Sequence, residues 1–200
     1  MSHAATDFRL EQPALSALAP CACSALRFAY ADPPYLGQGR KHYGKLHADA
    51  DDCDTIQWHA DLIARLCEEY PDGWAMSASS PSLREILPLC PADVRVAAWI
   101  KPFCAFKVNV NPAYAWEPVI WRGGRKRGRE RDTTRDFLSC PIAMKKGFPG
   151  AKPEQFTRWI LDLLGAEKCD EIHDLFPGSK SVSEAIDRWR NEVTLFEQNS

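Results

Sequence analysis

The run Leu26-Arg27-Phe28-Ala29-Tyr30-Ala31 is short and mostly apolar, and Asp32-Pro33-Pro34-Tyr35 follows it directly. No other stretch constrains the fold as much. Six residues of this kind suit a buried strand, and two consecutive prolines, with fixed φ and no N–H, cannot carry a sheet ladder onward. Proline also biases the residue before it toward extended backbone. The strand therefore ends at Asp32. Its carboxylate, the Pro33 carbonyl and the Tyr35 ring emerge together at the C-terminal end.

Downstream, apolar runs alternate with segments of helical period, which predicts a three-layer α/β sandwich with a mainly parallel sheet. Asp54 with Gln57 reads as a capping box, opening a helix whose face carries Ile56, Ile63, Leu66 and Tyr70 and which stops at Pro71. Strands are expected at 73–79, 94–100, 113–121 (antiparallel to its neighbour), 137–140, 171–176 and 193–196. Ser80-Pro81 starts a helix to about Leu89. Pro153 opens another, with Phe156, Trp159, Ile160, Leu163 and Leu164 at i, i+3, i+4, i+7, i+8 spacing and Gly165 closing it. Ser181 with Glu184 marks the last helix, striped by Val182, Ala185, Ile186 and Trp189. His173 reads as a satisfied histidine within a buried strand, and Trp58, Trp159 and Trp189 as packing residues.

With 200 residues, 45% of them hydrophobic, and seven tryptophans, the chain can bury one core. The expected organisation is an N-terminal extension at 1–25 and one domain at 26–200 with a basic loop at 122–136. The net charge of -2 argues against an all-round basic surface, so any nucleic-acid contact must come from a local patch. Eight cysteines without a repeated short spacing read as buried reduced thiols, and no metal is expected. The sequence shows neither a secretion leader nor a membrane span, so the expectation is a cytoplasmic protein.

A second constellation lies at Ile172-His173-Asp174-Leu175-Phe176-Pro177-Gly178-Ser179, where a strand, a glycine turn and a helix start have the layout of a nucleotide-type cofactor site. Glu197, about twenty residues on, stands where an acidic side chain can accept from ribose hydroxyls. Many α/β proteins share such a layout. Its order relative to Asp32 adds the information.

Asp32-Pro33-Pro34-Tyr35 resembles the catalytic tetrapeptide of the S-adenosylmethionine-dependent amino-methyltransferases. Asp174-Leu175-Phe176-Pro177-Gly178-Ser179 is similar to their Asp-x-Phe-x-Gly-Ser-Gly cofactor loop, and Lys152-Pro153 to the Lys-Pro pair opening the preceding helix. The motifs fall in the permuted order, catalytic strand first, over residues 28–198. His42-Tyr43, Trp99-Ile100-Lys101-Pro102 and Glu117-Pro118 also look like the branch containing the messenger-RNA adenosine methyltransferase catalytic subunit.

The resemblance implies a permuted class I Rossmann-like methyltransferase fold with S-adenosylmethionine as cofactor. Asp32, Pro33, Pro34 and Tyr35 would be catalytic, with Asp32, Lys152, Asp174, Phe176, Gly178, Ser179 and Glu197 around the cofactor. Asp at the tetrapeptide's first position leans toward adenine N6, and the expected partner is nucleic acid, DNA before RNA. RNA adenosine N6 or cytosine N4 methylation and a non-catalytic nucleic-acid-binding partner are the alternatives. The last is favoured by Lys180, which replaces the loop's final glycine. Phosphate contacts are expected from Arg40, Lys41, His42 and Tyr43, and from Arg122, Arg125, Lys126, Arg127 and Arg129. The 122–131 segment, with six cations and one anion and no apolar anchor, reads as a mobile loop. The small chain size makes a homodimer or a recognition partner plausible.

Overall fold

The computed structural model describes residues 24–37, 53–104, 108–143 and 151–192. In chain order these form strand β1 (Arg27–Ala31), helix α1 (Ile56–Glu69), β2 (Gly73–Ser77), a short helix α2 (Leu83–Ile86) between 3-10 turns at Ser80–Ser82 and Leu87–Leu89, β3 (Arg95–Ile100), β4 (Trp116–Gly123), β5 (Phe137–Ser139), α3 (Glu154–Leu164), β6 (Glu171–Asp174) and α4 (Ser181–Asn191). The expected strand at 193–196 lies outside the described residues. Among the described helices, none is long and apolar enough to cross a membrane.

The six strands make one sheet in the order β5-β3-β4-β2-β1-β6. Only β4 runs against its neighbours, β2 and β3; the other pairings are parallel. Side chains alternate across the sheet with period two. Phe28 and Tyr30 thus join Ala97, Trp99, Phe156, Ile160, Leu164 and Ile186 in one core, while Ala29 and Ala31 join Leu62, Ile63, Leu66, Trp74, Met76 and Ile120 on the other face. Two cores on opposite faces of one sheet make the expected three-layer sandwich.

Several local details differ from the sequence reading. Thr55, not Asp54, caps α1, its hydroxyl accepting from the Trp58 N–H at 3.2 Å. That shifts the helix start by one residue and leaves Ile56 on the exposed side. The expected capping box at Ser181 is absent, because Ser181 is already helical. The cap position is Lys180, in the left-handed region at φ 60° and ψ 6°. Gly165 does close α3, with φ 65°. Cys140 is buried and Cys53, Cys67, Cys90 and Cys104 are half-buried free thiols, but Cys169 is disulfide-bonded, so the expectation of uniformly reduced cysteines fails there. His173 is half-buried on β6 and is satisfied: Nδ1 pairs with the Tyr70 hydroxyl at 2.8 Å and Nε2 with Glu171 at 2.5 Å.

Candidate active site

Parallel pairing of β1 with β6 sets Tyr30 opposite Asp174, and the Leu175 N–H donates to the Tyr30 carbonyl at 2.9 Å. Asp32 and the Asp174-to-Ser179 turn therefore leave the sheet side by side at its C-terminal rim. In open α/β sheets this rim, beyond the carboxyl ends of the strands, is where ligands bind. The early carboxylate and the late glycine turn share one side of the molecule.

Lys152, in the segment before α3, brings together groups from three places. Its ammonium lies 3.0 Å from Asp32 Oδ1 and 2.6 Å from Glu117 Oε1, and Glu117 Oε2 holds Lys101 at 2.8 Å. Glu117 sits at the start of β4, which, being antiparallel, delivers its N-terminal end to the rim where the parallel strands end. Tyr35 completes the cluster, its hydroxyl donating to Asp32 Oδ1 and accepting from Lys152, both at 3.4 Å. The rings of Trp99 and Phe156 stand 5.6 Å from the Lys152 ammonium.

The electrostatics follow from this packing. Burial alone would raise the Glu117 carboxyl, but Lys152 and Lys101 outweigh it and hold it down at about 2. Burial would strip the Lys152 proton, but Asp32 and Glu117 hold it firmly in place. Asp32 ends above the usual carboxylate range, because burial, aided by Glu117 and Asp174, exceeds the pull of Lys152. Burial, Glu117 and Asp32 likewise keep the Tyr35 hydroxyl protonated. Asp32 nevertheless retains 27% side-chain exposure. Lys152 and Tyr35 both use Oδ1, so among the described residues Oδ2 is an open acceptor.

On the cofactor side, Asp174 accepts from the Phe176 N–H at 3.3 Å and the Ser183 hydroxyl at 2.7 Å, which shapes the turn. A Cβ on Gly178 would meet only the Phe176 carbonyl, at 3.8 Å, leaving the backbone approachable there. Three carboxylates (Asp32, Glu117, Asp174) and two ammonium groups (Lys101, Lys152) share the region, and Lys180 follows the glycine turn directly. Glu197, Arg40, Lys41, His42 and Tyr43 lie outside the described residues.

The arginine run lies elsewhere. Arg122 and Gly123 pair with Trp74 and Gly73, at the N-terminal end of β2, and Arg122 lies five positions beyond Glu117 on β4, roughly 17 Å at ~3.4 Å per residue. Nor is the segment unanchored. Gly123, at φ 73°, packs so closely that a Cβ would meet the Asp72 carbonyl at 2.6 Å, and the Arg125 N–H bonds the Leu164 carbonyl at 2.8 Å. Arg122 pairs with Asp93, Arg127 with the Thr134 hydroxyl, and Arg125 with the fully buried Asp170 at 2.5 Å. Lys126 and Arg129 are left without an ion-pair partner among the described residues.

Glu117 and Lys101 are the site residues that the candidate set omitted. Their signal was present: a carboxylate inside the apolar run Trp116-Glu117-Pro118-Val119-Ile120-Trp121 needs a buried cation, and Lys101 follows a strand on the same rim.

No family model and no curated protein matches the chain. Among solved structures, M1.HpyAVI bound to SAM superposes with a TM-score of 0.52 at 15% identity, over 82% of this chain and 78% of that one. A second structure of M1.HpyAVI gives 0.51 at 17% identity, over 83% and 78%. At this identity the likeness shows a shared fold.

Proposed function

We propose that this protein transfers a methyl group from S-adenosylmethionine to the exocyclic N6 amine of adenine in DNA. The observation that carries the reading is Asp32: a carboxylate at a strand's C-terminal end, clamped through Oδ1 and open through Oδ2, beside a glycine turn from the neighbouring strand. The shared fold of M1.HpyAVI, crystallised with SAM, supports the choice of cofactor.

Asp174, Phe176, Gly178 and Ser179 would hold the cofactor, which when bound supplies an electrophilic methyl on a sulfonium. An adenine amine is a poor nucleophile because its lone pair is delocalised into the ring. With the cofactor bound, Asp32 Oδ2 would accept one amine hydrogen and the Pro33 carbonyl the other, drawing the nitrogen toward tetrahedral geometry with its lone pair free to take the methyl as its bond to sulfur breaks; the proton that the methylated nitrogen sheds would leave along the hydrogen bond to Asp32. A carboxylate whose basicity burial has raised is the stronger acceptor for this task. Lys152, seated on Glu117, fixes the Asp32 rotamer and keeps it ionised. Tyr35 stacks on the extruded base, replacing part of the stacking lost from the helix. Arg40, Lys41, His42 and Tyr43, which follow the catalytic strand in sequence, contact phosphate.

A non-catalytic binding partner is the second reading, favoured by Lys180 in the glycine position. Asp32→Ala separates the two. The first reading expects methyl transfer to vanish while the calorimetric affinity for S-adenosylhomocysteine changes by less than about threefold, since Lys152 keeps Glu117. Retained turnover would remove the role assigned to Asp32, and no heat with the wild-type protein would favour the binding partner.

A further inference from the structure

The chain has eight cysteines. Cys53, Cys67, Cys90, Cys104 and Cys140 are free thiols and Cys169 is disulfide-bonded, so the partner of Cys169 is Cys21 or Cys23, the two that remain. Both belong to the N-terminal extension, outside the described residues. The described chain leads toward them. The Leu26 N–H donates to Asp170 Oδ1 at 2.8 Å, and the Glu171 N–H donates to the Leu26 carbonyl at 2.9 Å. Arg125, which pairs with Asp170, also donates to the Ser24 carbonyl at 3.4 Å. Residues 24–26 are thus fastened beside the turn that carries Cys169, between α3 and β6. Cys23 and Cys21 precede Ser24 by one and three positions, which is within roughly 10 Å of it at ~3.4 Å per residue.

We propose that this bond is a redox clasp: a thiol reductant of the glutathione class opens it and releases the N-terminal extension from the turn between α3 and β6. Five free thiols beside one disulfide suit a reducing milieu, where such bonds form and break rather than serve as permanent staples. Cys169 is half-buried, so a small reductant has access to the bond. Its thiolate attacks the sulfur on the extension, a mixed disulfide forms, and Cys169 leaves as a thiolate and takes up a proton. A second reductant thiol then displaces the extension's cysteine, so the products are two cysteine thiols and one oxidised reductant. The freed Cys169 thiol has an acceptor at hand, since its Sγ lies 3.9 Å from Asp170 Oδ1. That same oxygen accepts from the Leu26 N–H and from Arg125, which couples the state of the sulfur to the start of β1. Of Cys21 and Cys23, the one outside the bond has no further cysteine to pair with, and its thiol, two positions away, exchanges with the bond and speeds its opening. The inference concerns the fastening of β1 and β6 and stands apart from the methyl-transfer reading.

Tryptic mapping of the full chain tests it, after equilibration in glutathione buffers and blocking of free thiols under denaturing conditions. In a buffer of secretory-compartment poise, peptide 10–27, which contains Cys21 and Cys23, is expected joined to peptide 169–180 and lighter than the two thiol peptides together by two hydrogens. In a buffer of cytosolic poise the joined fraction should fall below about half. Hydrogen exchange on the native wild type gives a second reading: amides of 25–27 and 170–171 should exchange at least about threefold faster once the bond is opened. Cys169→Ser should show the fast rates in both buffers. Blocking of Cys169 in the oxidising buffer, a bond from Cys169 to any of the five free thiols, a bond that persists at cytosolic poise, or exchange at 25–27 and 170–171 that ignores reduction overturns the inference.

Discussion

Replacing Glu117 by Gln removes the charge that seats Lys152 and Lys101 while nearly preserving shape. The Glu117 carboxyl titrates at about 2 in the fold against an ordinary value of 4.5. A carboxyl depressed in the folded state contributes stability that is fully present above the unfolded value and is lost as pH falls through the folded one. The difference corresponds to about 3 kcal/mol at neutral pH. The Lys152 proton reports the same interaction and adds nothing further. Urea unfolding of wild type and Glu117→Gln should therefore differ by about 3 kcal/mol at pH 7, and by less than half of that at pH 3, since the linkage integral has by then lost about 2 kcal/mol. A difference below about 1 kcal/mol at pH 7, or one that does not shrink on acidification, would refute the buried ion cluster as the organiser of this rim.

Arg125→Ala strands the buried Asp170 carboxylate, which also accepts from the Leu26 N–H at 2.8 Å and the Glu167 N–H at 2.7 Å. A loss of about 3–5 kcal/mol in urea unfolding is expected; a small loss accompanied by weakened DNA binding would return this arginine to phosphate contact. Lys180 holds a left-handed backbone that costs a non-glycine residue roughly 1–2 kcal/mol, partly offset by the extra freedom of glycine in the unfolded chain. Lys180→Gly should thus stabilise the protein by about 0.5–1 kcal/mol and leave or improve the affinity for S-adenosylhomocysteine. Destabilisation would mean that the lysine side chain holds α4 in place.

The fold was legible wherever one strong local rule acted alone. Pro33-Pro34 stops β1, Gly165 stops α3, and the apolar spacing of Phe156, Trp159, Ile160 and Leu164 identifies the helix that covers the sheet. The antiparallel course of β4, expected for the strand at 113–121, is found as well. Competition between neighbouring residues was not readable. Asp54 and Thr55 can both cap a helix, and the chain uses Thr55. Ser181 has the chemistry of a cap, yet Lys180 occupies that position. At the site, Asp32, Tyr35 and Lys152 were identified by motif, but their mutual contacts depend on Glu117, which only the antiparallel course of β4 carries to the rim. The arginine run shows the converse. Its composition suggests phosphate binding, while the partners that claim Arg122, Arg125 and Arg127 lie 7 to 45 residues away in sequence and leave no local trace.

Incubation with labelled S-adenosylmethionine and duplex DNA, followed by digestion and mass spectrometry of the nucleosides, tests the central claim most directly. N6-methyldeoxyadenosine should form with the wild-type protein and be absent with Asp32→Ala. Label on cytosine or on RNA alone, or no labelled nucleoside from a protein that binds the cofactor, would contradict it.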